Sequence, residues 1–320
     1  MEFLYFLEKL RTPVCDAIFS FITHGGEELV FLVVAILFFW CINKREGYYI
    51  LTVGLVGTVI NQAAKLTFRI DRPWVKDPSF TVVGDAKVEA GGYSFPSGHT
   101  QNATGTFGSI ARFTKSLPVR IISIALIVLI AFSRMYLGVH TPLDVGVSLI
   151  IGALLVFLLH PIFESEEHFH KFMPYVVAAS AVLAIGLLLF VFLLPTEGID
   201  EENLYSGMKN AATLFGCTVG LVPVYFIDRK YINFRTDGKW YAQILKLSIG
   251  LAVILLIKSG LSAPLVALFG NEFVARGVRY LLIVLFAGCV WPLTFNFWSR
   301  LSIPFIDRLF CKNNNDKTVE

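Results

Sequence analysis

Charge is scarce in this sequence. Of 320 residues, 27 are Lys or Arg and 24 are Asp or Glu, 16% in all, against about 25% in ordinary soluble domains. With 55% hydrophobic residues and a mean hydropathy of +0.67, that scarcity excludes a soluble globular domain. The net charge of +3 is unremarkable, and no nucleic-acid partner is expected. Cysteine is sparse too. Cys15, Cys41, Cys217, Cys289 and Cys311 are odd in number, scattered and without C-x-x-C spacing, which argues against disulfides or a metal centre and for small buried side chains. The N-terminus lacks a clean apolar core behind a basic head, because Glu2, Glu8, Lys9, Arg11 and Asp16 interrupt it. A cleaved signal peptide is therefore not expected.

Long apolar runs are what the chain has instead, and they repeatedly reach spanning length. Residues 1–24 mix Phe3, Leu4, Phe6, Leu7 and Leu10 with charges at helical spacing, which predicts an amphipathic helix lying on the membrane surface and ending at Gly25-Gly26. Crossings are predicted over about 27–42, 47–68, 119–138, 142–160, 174–194, 209–227, 241–258 and 276–298. A ninth, from His99 to Phe113, is rich in Gly, Ala, Ser and Thr; it reads as an inner helix shielded by its neighbours. Residues 69–96 are too charged to span. His160 to Phe172 forms a charged break, in which His160, His168 and His170 beside Glu164, Glu166 and Glu167 could hold a metal, a solvated loop being the simpler account. The fold class is thus all-α: a polytopic membrane helix bundle. The expected division is a surface helix over 1–24, a core of about five crossings over 25–162, a linker over 163–173, an accessory four-helix region over 174–300 and a tail over 301–320. That tail ends in an Asn-Asn-Asn-Asp-Lys run expected to be disordered.

Sidedness follows from the basic residues of the short loops. Lys44 and Arg45, Arg112 with Lys115 and Arg120, Arg229 with Lys230, Arg235 and Lys239, and Arg300 with Arg308 and Lys312 fall on one side under nine-span alternation. The acidic Glu164–Glu167 break falls there too, although acidic residues weigh little in this rule. The opposite side, away from the cytoplasm, receives the remaining polar segments, and three of these carry candidate chemistry.

The stretch Ser133 to Asp144 lies between two apolar runs and holds Arg134, His140 and Asp144, which are costly where lipid replaces water. His140 and Asp144 lie four positions apart, so a carboxylate at the first turn of a helix from Pro142 can hold an imidazole. Thr141-Pro142-Leu143-Asp144 equally reads as an N-cap, a first-position proline and a capping box, which would make Asp144 structural. A second segment, Pro96-Ser97-Gly98-His99, opens the polar helix with free backbone N–H groups suited to an anion. In the third, Lys65 and Arg72-Pro73 bring two more cations. Arg69 competes with Lys65 for that role. Two histidines at one anion site suggest a nucleophile and a proton donor. Asn61 and Gln62, one turn before Lys65, read as hydrogen-bonding glue within the bundle.

Lys65-x6-Arg72-Pro73, Pro96-Ser97-Gly98-His99 and Ser133-Arg134-x5-His140-x3-Asp144 together resemble the three-part signature of the type 2 phosphatidic acid phosphatase superfamily. That group includes lipid phosphate phosphatases, undecaprenyl pyrophosphate phosphatases, glucose-6-phosphatases and vanadium haloperoxidases. The resemblance covers roughly residues 27–160 and leaves the last half of the chain outside. It implies that His140 attacks phosphorus and forms a phosphohistidine, that Asp144 orients it, and that His99 protonates the leaving oxygen. Lys65, Arg72, Ser97, Gly98 and Arg134 would bind the phosphoryl oxygens, with no cofactor and no metal. A haloperoxidase is excluded by the membrane character of the chain. The leading expectation is a multi-pass membrane phosphatase, in a bacterial plasma membrane or an endomembrane, acting on a lipid phosphate or pyrophosphate with membrane lipids as its surroundings. A glucose-6-phosphatase-like enzyme for a soluble sugar phosphate, a phosphotransferase, and a lipid transporter with a vestigial site are the alternatives.

Overall fold

A computed structural model describes residues 1–304; the expected disordered run and Cys311 lie outside the described residues. Among the described residues the regular structure is entirely helical: α1 (Glu2–Lys9), α2 (Pro13–Thr23), α3 (Glu28–Leu37), α4 (Lys44–Phe68), α5 (Pro73–Lys76), α6 (Ala86–Glu89), α7 (Gly98–Phe113), α8 (Leu117–Tyr136), α9 (Pro142–Glu164), α10 (Glu166–Leu193), α11 (Glu201–Ile227), α12 (Trp240–Gly260), α13 (Ser262–Phe269), α14 (Glu272–Leu285) and α15 (Phe295–Arg300). Seven helical stretches are long and apolar enough to cross a membrane, and an eighth is added if α2 and α3, which meet at a 52° bend, form one broken span. The remaining expected crossing is α7. Its 16 residues are enclosed by α4, α8 and α9, with Thr100, Gln101, Thr104, Thr106 and Ser109 buried. Neighbouring helices cover its polar surface, as its composition predicts.

Two elements differ from expectation. Residues 1–24 hold two helices in place of one, because the Thr12 side chain caps the Cys15 amide and Pro13 occupies the first turn of α2. The charged break after residue 160 shrinks to Ser165, whose hydroxyl accepts from the His168 amide to start α10. His160 is buried against Tyr49 and Phe113, so a solvated loop does not describe it; helix α9 carries it inward. Among the described residues no three His, Cys, Asp or Glu side chains converge as a metal-ligand set.

The two halves of the chain form one bundle, since α10 and α11 both pack on α4. An aromatic core joins Trp40, Tyr48 and Tyr49 of the first half to Phe169, Tyr225, Phe234 and Phe295 of the second. A second core joins Leu55, Leu66 and Tyr93 to Leu187, Leu214 and Tyr280. Helices α11 and α14 cross where Gly216 faces Gly277: a Cβ at Gly216 would clash with the Gly277 carbonyl oxygen and lie 3.0 Å from the Leu281 amide. Backbone cannot yield as a side chain does, so Gly216→Val is expected to destabilise by about 3 kcal/mol. Thermal unfolding of the detergent-solubilised protein checks this, and an unchanged midpoint would refute so close a crossing.

Chain direction brings the ends of four helices together: α4 and α8 end where α7 and α9 begin. The opposite end gathers the basic loops. There Lys44 pairs with Asp228 at 2.9 Å, Arg45 lies 5.8 Å from the Phe113 ring centroid, and Arg229 donates to the His170 carbonyl at 3.3 Å.

Candidate active site

Helix α4 stops at Arg69, whose left-handed φ of 49° turns the chain back. The Arg69 Nε donates to the Leu66 carbonyl of its own helix at 3.1 Å, whereas Lys65 is buried and donates to the Tyr93 carbonyl. Of the two competing cations, Lys65 is therefore the enclosed one. The segment from Arg69 to Pro96 folds as a cover over the helix ends. Val83 and Ala86 pack on Tyr136, Leu137 and Val139, and the Val83 amide donates to the Leu137 carbonyl at 3.1 Å. Gly138, at φ +85°, lets this cover close, because a Cβ there would stand 2.8 Å from both Arg11 Nη2 and the Phe80 ring. The N-terminal helices clamp the cover from outside. Arg11 donates to the carbonyls of Tyr136 (3.1 Å) and Thr81 (2.9 Å), the Thr81 hydroxyl to Glu8, and the Tyr5 hydroxyl to Asp77.

Under the cover, Arg72 is the hub. Its Nε donates to Gly92 O at 3.0 Å and its Nη2 to Gly91 O at 2.8 Å. Its Nη1 reaches both Val139 O at 2.9 Å and His140 Nε2 at 3.0 Å. A guanidinium can only donate, so His140 Nε2 is the accepting nitrogen and the ring proton sits on Nδ1. That Nδ1 faces Asp144 Oδ2 at 3.5 Å. The separation is long for a hydrogen bond, and Nδ1 has no other partner; such pairs commonly tighten when substrate binds.

Asp144 unites the two readings that its sequence context offers. The capping box forms, with Thr141 Oγ1 accepting from the Asp144 amide and Asp144 Oδ2 accepting from the Thr141 amide at 2.7 Å. The same Oδ2 accepts from Ser94 Oγ at 2.6 Å. Cap and imidazole partner are thus one carboxylate.

The Ser97 amide donates to the Asp144 carbonyl at 3.2 Å, which docks the start of α7 against α9; the Ser97 side chain caps the Thr100 amide. Open space lies beside Gly98, where an added Cβ would meet nothing within 4 Å. His99 follows, and among the described residues its ring makes no hydrogen bond. Arg134 is 1% exposed and donates to Thr23 Oγ1 at 2.7 Å, leaving its buried Nε without a partner. Its carbonyl accepts from the His140 amide at 3.3 Å. Lys65, Arg72, Arg134, His140 and Asp144 are all at least nine-tenths buried. Burial first, and then the charges of Arg72, Arg134, Lys65 and His99, hold the His140 imidazole well below the ordinary histidine range.

Residues 45–167 match the model of the PAP2 superfamily, and residues 208–301 match that of the PAP2 superfamily phosphatase transmembrane extension. Phosphatidylglycerophosphatase B of Bacillus subtilis is 30% identical over 178 residues, 51% of this chain and 82% of that protein. The chain belongs to the PAP2 superfamily. A dihydrosphingosine 1-phosphate phosphatase of Schizosaccharomyces pombe is 25% identical over 85% of this chain and 68% of its own length. An undecaprenyl-diphosphatase of Bacillus subtilis is 29% identical over 46% of this chain and 75% of its own. No solved structure matches. The second match extends the likeness beyond the motif-bearing half and agrees with the expected additional C-terminal helices: residues 208–301 match a PAP2 transmembrane extension, and α11 packs on α4 of the core.

The motifs left out several residues that hold this PAP2 site together. Ser94 anchors Asp144 and Thr23 anchors Arg134, while the Gly91, Gly92 and Tyr93 carbonyls orient Arg72 and Lys65. Nothing in their local spacing marks them. Their roles come from the path of the cover.

Proposed function

We propose that the protein is an integral-membrane phosphatase that hydrolyses a lipid phosphate or pyrophosphate through a phosphohistidine. One observation carries this reading. Three buried cations, Lys65, Arg72 and Arg134, share the site with one buried carboxylate, Asp144. Unpaired buried charges cost several kcal/mol each, and a phosphate dianion is the ligand that offsets such an excess. The activities for which the relatives are named, each on a lipid phosphate or diphosphate, support the substrate class.

In the proposed reaction a phosphoryl oxygen of the substrate takes the Arg72 hydrogen bond from His140 Nε2, the freed lone pair attacks phosphorus as the bond to the leaving oxygen breaks, and His99 gives its proton to that oxygen. Asp144 holds the Nδ1 proton as charge grows on the ring. Water then attacks the phosphohistidine, His99 takes its proton, and inorganic phosphate leaves. Lys65, Arg72 and Arg134, with the Ser97 hydroxyl and the Gly98 amide, stabilise the transferring group by fixed charge and hydrogen bonds. Gathering of the basic loops at the far end of the bundle supports a site facing away from the cytoplasm.

The test is phosphate release by the purified protein, in detergent and EDTA, from phosphatidate, phosphatidylglycerophosphate, a sphingoid phosphate, undecaprenyl pyrophosphate and glucose 6-phosphate. Release from the lipid substrates is expected. Release from glucose 6-phosphate alone would favour the sugar phosphatase, and release from none would leave a carrier. The pH profile adds a second readout. His140 must be neutral to attack, so activity is lost as pH falls through its pKa. With that pKa depressed, the acid limb of kcat/KM should lie on the acid side of about pH 6.5, the unperturbed histidine value. Arg72→Gln removes a neighbouring cation and should move the limb toward alkaline pH. A limb that stays in place belongs to another group.

A further inference from the structure

Beside the site, between α3, α4, α7 and α11, lies a cavity of about 110 Å³. Gly98 links the two, since its amide opens α7 at the phosphate end and the residue also lines the cavity. Carboxamides from three helices face the space: Asn61 and Gln62 of α4, Gln101 and Asn102 of α7, and Asn210 of α11. Glu28, which is exposed, stands at the edge. Asn61 and Gln101 are each 1% exposed, and both polar atoms of both side chains lack a hydrogen-bond partner. The glue that Asn61 suggests from sequence requires partners that it does not have. A buried polar group left unpaired costs about 1–3 kcal/mol, so these amides point to a ligand that supplies hydrogen bonds.

Position and chemistry narrow that ligand. Arg72, tied to the carbonyls of Gly91, Gly92 and Val139, stands against His140. His99, which gives its proton to the leaving oxygen in the proposed reaction, directly follows Gly98, so the leaving oxygen is expected at the end of α7 whose Gly98 lines the cavity. No cation lines it and Glu28 is acidic, so a second phosphate is unfavourable there. Carboxamides donate and accept at once, which matches hydroxyl groups. Three waters, or an equivalent set of hydroxyls, would fill about this volume at roughly 30 Å³ each.

We infer that this cavity receives a free hydroxyl group carried by the leaving alcohol close to the ester oxygen. The preferred substrate is then a lipid phosphomonoester with a hydroxylated leaving group, in preference to a lipid pyrophosphate or an unsubstituted alkyl phosphate. This inference rests on the phosphatase reading above. Asn61 and Gln101 act as specificity-determining residues in it.

The probes are a long-chain 2-hydroxyalkyl phosphate and the alkyl phosphate of the same chain length, with kcat/KM measured for each on purified protein in detergent. Wild type is expected to prefer the hydroxylated ester by about 10-fold or more, and Asn61→Leu and Gln101→Met to bring the ratio close to one. Asn210→Leu, on the partly exposed wall, should lower the ratio as well and serves if the buried variants do not fold. Hydrolysis of both esters without preference, or a preference that survives all three substitutions, would overturn this inference while sparing the phosphatase. Hydrolysis of neither ester, nor of any lipid phosphate, would overturn both, and water would then be the occupant of the cavity.

Discussion

His140→Ala should lower kcat for phosphate release by about 10⁴-fold or more, the loss found when a nucleophile that works as part of a unit is removed. The geometry explains why so much should go while binding persists. Arg72 holds His140 Nε2 at 3.0 Å, but it is also fixed by Gly91, Gly92 and Val139, so the cationic site should survive loss of the ring. KM, and competition by inorganic phosphate, should therefore change far less than kcat. Turnover of a ³²P-labelled substrate quenched in alkaline detergent should trap labelled wild-type protein whose label survives alkali and is released by acid, as a phosphohistidine requires, and no label on the variant. Equal phosphate release by both proteins would defeat the enzymatic reading and favour a lipid carrier.

Asp144→Asn should lower kcat by about 10³- to 10⁴-fold, on the precedent of the carboxylate behind a catalytic histidine. The substitution separates the helix cap from the proposed orienting role, both of which fall on Asp144 Oδ2. Asparagine has a side-chain oxygen that can keep the Thr141 and Ser94 hydrogen bonds, so the start of α9 should hold. What is lost is the negative charge 3.5 Å from His140 Nδ1. Without it the wrong ring tautomer is no longer disfavoured, and charge growing on the ring has no counterion. A helix cap alone is worth about 1 kcal/mol and would not affect turnover on this scale. Circular dichroism and thermal unfolding near wild type, with kcat collapsed, would identify the orienting role. Collapse of both would assign Asp144 chiefly to structure.

Much of the bundle is legible in the sequence, and the exceptions have physical causes. Apolar runs mark the lipid-facing helices because lipid tolerates little else. Helix α7 shows no such run, yet its small and polar residues betray a helix that neighbours must cover. The N-terminal break at Thr12-Pro13 is local and could have been read from the cap and proline alone. The burial of His160 could not, because it depends on Tyr49 and Phe113 meeting from other helices. Asn61 shows the same limit: its type suggests glue, and only the packing reveals that it has no partner.

Sequence alone determined that this chain is a membrane helix bundle and named the cations, imidazoles and carboxylate of the candidate site. Both follow from residue type and short spacing: charge is expensive in lipid, so its rare occurrences stand out, and caps and i,i+4 pairs are set within one helical turn. Tertiary structure alone decided which nitrogen of His140 faces Arg72, that Ser94 and Thr23 steady Asp144 and Arg134, and that a carboxamide-lined cavity adjoins Gly98. Those facts depend on how the segment from Arg69 to Pro96 threads over four helix ends and where α4, α7 and α11 cross. Contacts between residues so far apart in the chain leave no trace in local periodicity.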